Sequence, residues 1–312
     1  MPDAKPNPSA AASQLSTIRD FLRWALSEFR RARIVHGHGT TSATDEAAFL
    51  ILETLRLPVD DINPWLDAKL LDHERSAVAN IIRARIETRM PAPYLVRRAY
   101  IHGVSFYVDE RVIVPRSFIG ELMFSGIFGG DEAPLIEDVT HVTSVLDLCT
   151  GSGCLAILAA GIFPEAEIDA ADLSADALEV ARINVAEHEV AERVNLRQGD
   201  LFEAVDGATY DLIICNPPYV AAGEVHAFPP EYGHEPVMAH IGGEDGLDLV
   251  RRILGEAADH LNPGGGLICE IGTGRERLVA DYPQLDFLWL DTEESQGEVF
   301  WITREQLLDA EA

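Results

Sequence analysis

The alternation of apolar and polar positions changes period twice along the chain. Leu15, Ile18, Leu22, Ala25 and Phe29 recur at steps of three and four, the spacing that lines up side chains on one helix face. A second helical pattern covers 45–55, and a third uses Val78, Ile82, Ile86 and Met90 after a possible cap at Asp72 until Pro91 and Pro93 end it. The first dozen residues, rich in Pro, Ala and Ser, predict a disordered tail, so 1–95 is expected to be a small helical bundle behind that tail. Over 99–114 the text turns to short β-branched and aromatic runs around Gly103 and Asp109-Glu110, as hairpins do, and 129–137 is turn-rich; 96–140 is therefore expected to be a β-hairpin and linker. Beyond it, strand patterns at 142–148, 167–172, 194–198, 210–215, 266–271 and 287–290 alternate with helical text such as 174–188 and 246–261. That alternation predicts an α/β domain over 141–312, a parallel sheet with helices on both faces, closed by an antiparallel strand at GEVFWITRE.

Composition narrows the function classes. With 47% hydrophobic and 24% charged residues the chain can bury a core. No run approaches the ~18 apolar residues of a membrane span and the start lacks a secretory signal, so a cytoplasmic protein is expected, with no membrane partner. Cys149, Cys154, Cys215 and Cys269 lack paired zinc spacing, and His36, His38, His226, His234 and His240 follow no ligand pattern, so no metal is expected. The net charge of -28 is one-sided: 1–95 hold 12 Lys+Arg against 12 Asp+Glu, while 96–312 hold 12 against 40. Such a surface disfavours duplex DNA, whose phosphates need basic partners, and suits a basic protein; solubility or a salt-rich habitat would explain it equally.

Two places carry chemistry. Strand text VLDL runs into CTGSGCLAI, placing Gly151 and Gly153 where a strand turns into a helix, with room for positive φ and close ligand approach. Asp172, 21 residues past Gly151, ends the next strand and can accept ribose hydroxyls; Gly199-Asp200-Leu201-Phe202 can offer an acceptor and an apolar surface to adenine. This loop alone fits a nicotinamide dinucleotide as well, and Asp147 can simply accept backbone N–H groups. Asn216-Pro217-Pro218-Tyr219, directly after YDLIIC, separates the readings. Two prolines remove two donors and fix the backbone, so this corner presents acceptors and asks for a ligand with donors. A planar NH₂ group offers two. Accepted by the Asn216 side-chain oxygen and the Pro217 carbonyl, with Tyr219 as a stacking wall, it faces the methyl of a bound S-adenosylmethionine. No essential His or Glu proton acceptor is expected, and an ordinary rigid turn is the bland alternative.

At these residues the chain resembles the HemK-like family of protein glutamine methyltransferases. The resemblance spans nearly the whole chain and includes FYVDERVIVPRS at 106–117, EYGHEP at 231–236, GGEDGL at 242–247 and CEIG at 269–272. It implies a helical substrate-recognition domain, a seven-stranded class I (Rossmann-like) sheet, and Asn216, Pro217, Pro218 and Tyr219 holding a glutamine amide. It implies a methyl-donor site drawn from Asp147, Cys149, Thr150, Gly151, Ser152, Gly153, Asp172, Asp200, Leu201 and Asn216. Cys149 stands where the family's release-factor enzymes usually have Gly; with FYVDERVIVPRS it resembles the branch acting on the third protein of the large ribosomal subunit, free or on an assembling particle. Pro115-Arg116 and Glu121 either line the entrance between domains or brace the hairpin, and 220–246 is long enough for a lid. The alternatives are a release-factor methyltransferase, a DNA amino-methyltransferase, a non-enzymatic assembly factor and a nicotinamide dehydrogenase.

Overall fold

The computed structural model describes residues 8–130, 134–292 and 295–310. Five helices open it: α1 (Pro8–Gln14), α2 (Ile18–Ala32), α3 (Ala43–Leu55), α4 (Asp72–Thr88) and α5 (Ala92–Val96). Ile18, Phe21, Ala25 and Phe29 of α2 bury against Leu50, Ile51, Val78 and Ile82, so one stripe per helix makes the core. Local chemistry sets the starts. Thr17 accepts from the Asp20 N–H while its own N–H donates to the Asp20 carboxylate, a reciprocal cap worth about 1 kcal/mol. The expected tail is helical from Pro8: proline suits a first helical turn, the alanines favour helix, and Ala11 is buried against the bundle. Residues 1–7 lie outside the described residues.

The linker holds one hairpin, β1 (Ala99–Ile101) with β2 (Val104–Phe106), and then α6 (Phe118–Phe124). The pairing expected around Asp109-Glu110 does not form. Val108, Val112 and Val114 instead pack on Ala177 and Val180, and side chains take the backbone donors: Asp109 accepts from Arg111 N–H, and Glu235 from Val114 N–H. Part of the expected turn-rich stretch, 131–133, lies outside the described residues.

The sheet comprises β3 (Ser144–Leu148), β4 (Glu167–Asp172), β5 (Val194–Gln198), β6 (Tyr210–Cys215), β7 (Leu261–Glu270), β8 (Leu288–Asp291) and β9 (Gln296–Thr303), in the order β5-β4-β3-β6-β7-β9-β8. The first five are parallel; β9 runs antiparallel to β7 and to β8. Helices α7 (Cys154–Ile162), α8 (Ala175–Glu187), α9 (Asp248–His260) and α10 (Arg275–Asp281) connect the strands, and α11 (Arg304–Asp309), not foreseen from the sequence, follows β9. Alternate residues feed opposite faces: Val145, Leu212, Ile214 and Ile268 one core, Leu146, Ile213, Leu267 and Phe300 the other. From β3 the chain winds outward to β5 and returns to β6 on the other side. The reversal opens a crevice at the carboxyl ends of β3 and β6, where doubly wound sheets bind ligands. Among the described residues no helix is long and apolar enough to cross a membrane.

Candidate active site

Cys149, Gly151, Asp172, Asp200, Leu201 and Asn216 line one cleft at the carboxyl edge of the sheet. Gly151 has φ +56° and donates its N–H to Asp172 Oδ2 at 2.9 Å; Oδ1 accepts from Ser174 N–H at 2.8 Å. Burial pushes the Asp172 carboxyl above the usual range, and these two N–H groups pull it back. Each oxygen keeps a lone pair, which suits a diol. Asp200 is paired through both oxygens with Arg252, at 3.1 and 3.0 Å, which the sequence did not reveal. Leu201 faces the cleft, but Phe202 stacks on His260 in the core and is not an adenine wall. Cys149 adopts φ +60° where glycine is the easier residue, a cost of roughly 1 kcal/mol.

Four residues expected at the donor site lie behind the cleft and do not line it. Asp147 is fully buried: Oδ2 accepts from the Thr150 hydroxyl at 2.5 Å and from Ala156 N–H at 3.1 Å, and burial raises its carboxyl to about 7. Its Oδ1 is buried without a hydrogen-bond partner among the described residues. Thr150 and Ser152 are buried too; Gly153 (φ +79°) lets α7 approach α8, since a Cβ there would sit 3.2 Å from that of Ala181. These residues shape the turn from beneath. Asn184, missed from sequence, ties it down: its amide donates to Ser152 O at 2.8 Å and Tyr107 O at 3.0 Å and accepts from Tyr107 N–H at 2.7 Å. A lone Asn on the apolar stripe Ala177, Val180, Ala181, Val185 was the available signal.

The tetrapeptide forms a partition. Asn216 and Pro218 line the cleft on one side and, with Pro217 and Tyr219, a pocket of about 910 Å³ on the other. Tyr219 and Arg116 also face a third cavity, a groove of about 1730 Å³ between the 37–41 segment, the hairpin and α6. Pro115 and Glu121 line that groove as well. GGEDGL grips the corner by lacking side chains: a Cβ at Gly242 would lie 2.4 Å from the Pro218 carbonyl oxygen, and one at Gly246 2.3 Å from that of Tyr219. From CEIG, Gly272 leaves space for the Tyr219 ring, whose hydroxyl donates to Glu270 at 3.1 Å. EYGHEP reaches outward. Glu235, almost fully buried, receives both Arg116 nitrogens at 2.8 Å and lies 3.5 and 3.2 Å from His38 and His240. Those partners hold its carboxyl far below the usual range despite burial. Glu231 accepts from Val35 N–H at 3.1 Å and Arg89 at 2.9 Å, fastening the 220–246 loop to the helical bundle. The same loop closes on itself directly after the tetrapeptide, with Val220 N–H donating to His240 O at 2.8 Å.

A sheet reversing at a glycine turn, an acidic strand end beyond it and a rigid corner that lacks two backbone donors opposite define a class I S-adenosylmethionine-dependent methyltransferase. Residues 133–228 match the family model described as methyltransferase small domain. The chain is 53% identical over 295 residues to the ribosomal protein uL3 glutamine methyltransferase of Bradyrhizobium diazoefficiens, covering 94% of this chain and 92% of that one. It is 51% identical over 294 residues to the enzyme of that name from Bordetella pertussis (94% and 97%), and 53% over 301 residues to that of Neisseria meningitidis serogroup A (96% and 97%). The chain belongs to the ribosomal protein uL3 glutamine methyltransferase family.

Proposed function

We propose that this enzyme transfers a methyl group from S-adenosylmethionine to the side-chain amide nitrogen of a glutamine in ribosomal protein uL3, in the cytoplasm. The observation that supports the site assignment is that Asn216 and Pro218 line both the cleft beside Gly151 and Asp172 and a second pocket, which lets donor and acceptor meet across one rigid corner. The cleft suits the methyl donor: Gly151 brings backbone close, Asp172 offers two lone pairs to ribose hydroxyls, and Leu201 and Leu249 offer apolar surface to adenine. When bound, the donor supplies a methyl carbon made electrophilic by a positively charged sulfur.

The chain's own residues do the rest. Asn216 Oδ1 and the Pro217 carbonyl each accept one amide N–H, which fixes the NH₂ plane and raises electron density on a nitrogen that is otherwise a poor nucleophile. Tyr219 closes the far face of the amide. As the nitrogen gains positive character its proton becomes acidic and leaves to water, so no base is needed early. The helical bundle and the groove beside Tyr219 take the polypeptide around the glutamine, and the excess of acidic residues in 96–312 attracts a basic ribosomal protein, free or on an assembling particle.

The test is transfer of labelled methyl to purified uL3, to large-subunit precursor particles, to a release factor and to duplex DNA. A single methylated glutamine in uL3, located by mass spectrometry and missing in cells lacking the gene, is expected. Label entering the release factor or DNA in its place would overturn the reading.

A further inference from the structure

We propose that Glu270 is a positioning residue for the amide clamp: with one carboxylate it holds the Tyr219 hydroxyl and the Ser117–Phe118 wall of the groove in a single register. This rests on the proposed function and extends it to a residue with no part in donor binding.

Glu270 ends β7 and is 1% exposed. Its Oε2 accepts from the Ser117 hydroxyl at 2.7 Å and from Phe118 N–H at 2.9 Å, and its Oε1 accepts from Tyr219 at 3.1 Å. Among the described residues no Lys, Arg or His is paired with it, although buried carboxylates are ordinarily matched by a cation. Burial accordingly raises it to about 7. What the ionised carboxylate supplies here is acceptor capacity on both oxygens of one rigid group. A glutamine has it on one side only, and its NH₂ must face either the phenol or the two donors of the wall.

Placement gives those bonds a consequence. Tyr219 and Glu270 both line the groove, together with Ser117 and Phe118. Two residues past Glu270, Gly272 meets the ring itself, since a Cβ there would stand 2.7 Å from Tyr219 Cδ2. The end of β7 therefore fixes the ring by its face and by its hydroxyl. Its plane is set before substrate arrives, and the groove wall that seats the polypeptide is tied to the same oxygen pair. Glu270 touches neither donor nor amide; it acts through Tyr219.

A double-mutant cycle separates this from simple structural support. Tyr219→Phe and Glu270→Leu are each expected to lower kcat for methyl transfer to uL3 by roughly tenfold or more, the scale of a small misplacement of reacting groups, while the donor dissociation constant stays within about twofold. The double variant is expected to fall no further than the worse single one. Glu270→Gln, which keeps shape and one acceptor, is expected to recover part of the loss and replaces the leucine variant in the cycle should that one not fold. Independently of turnover, Tyr219 ring flips followed by NMR are expected to quicken when Glu270 is replaced. Additive losses in the double variant, parental kcat in Glu270→Leu, or unchanged ring flips would each overturn the assignment. Absence of transfer to uL3 by the unaltered enzyme would instead remove the functional reading, leaving the ring-flip measurement to decide whether Glu270 fixes Tyr219.

Discussion

Adding a single methyl group at Gly242 probes the proposed amide clamp without replacing a polar side chain. The new carbon would lie 2.4 Å from Pro218 O, 2.5 Å from Gly246 O and 2.8 Å from Tyr219 Cα, whereas ordinary contact begins near 3.4 Å. All three neighbours are backbone, so no side chain can swing aside, and Gly246 is itself pressed against the Tyr219 carbonyl. The corner must retreat by roughly 1 Å, and a misplacement of that size costs about 10² in rate, or ~2.7 kcal/mol of barrier. Overpacking also lowers folding stability by about 1–3 kcal/mol, so melting is followed in parallel. In single-turnover transfer of labelled methyl to uL3, Gly242→Ala is expected to be about 10²-fold slower, with donor affinity by calorimetry nearly unchanged, because Gly242 does not line the donor cleft. Gly223→Ala, where the added carbon meets nothing within 4 Å among the described residues beyond its own chain neighbours, serves as the control. A Gly242→Ala enzyme turning over within about threefold of the parent would show that the corner needs no such exact placement, and the clamp would fall with it.

Asp172→Ala removes the acceptor for Gly151 and Ser174 N–H as well as the proposed ribose contact; the donor should bind about 10- to 100-fold more weakly, and an unchanged dissociation constant by calorimetry would refute the role. Asn216→Ala should lose about 10²-fold in kcat and leave donor affinity largely intact although Asn216 also lines the cleft, so normal turnover would remove it from the proposed clamp. For Asp147, burial raises the folded carboxyl to about 7 against 3.8, so its stabilising contribution is present at low pH and lost as pH climbs through 7. Asp147→Asn has no proton to lose, and its melting-temperature advantage should grow between pH 5 and pH 8; a pH-independent difference would contradict the burial argument. Glu235 has the opposite sign: its lowered carboxyl stabilises the fold above about pH 4.5 and ceases to as acid protonates it, so Glu235→Gln should cost about 3 kcal/mol in urea unfolding at pH 7 and less in acid.

The elements were legible because helix and strand periods and proline's fixed φ are local properties. Glu167–Asp172, Val194–Gln198 and Tyr210–Cys215 stand where alternation placed them, and Asn216 follows its strand at the sheet's carboxyl edge. Where local signals competed with packing they misled. Alanine content read as a tail became α1 once Ala11 found the bundle, and the valines of 108–114 chose α8 over a second hairpin.

By itself, then, the sequence determined the layered sheet, the glycine turn and a corner poor in donors, since each depends on residues adjacent in the chain. Tertiary structure alone decided which carboxylates meet the cleft and which brace it: Asp172 at its edge, Asp147 beneath it, Asp200 paired with Arg252, Glu270 under Tyr219. A carboxylate's role follows from its burial and its partners, and those partners here stand up to 153 positions away, as Ser117 does from Glu270, where no local pattern reaches.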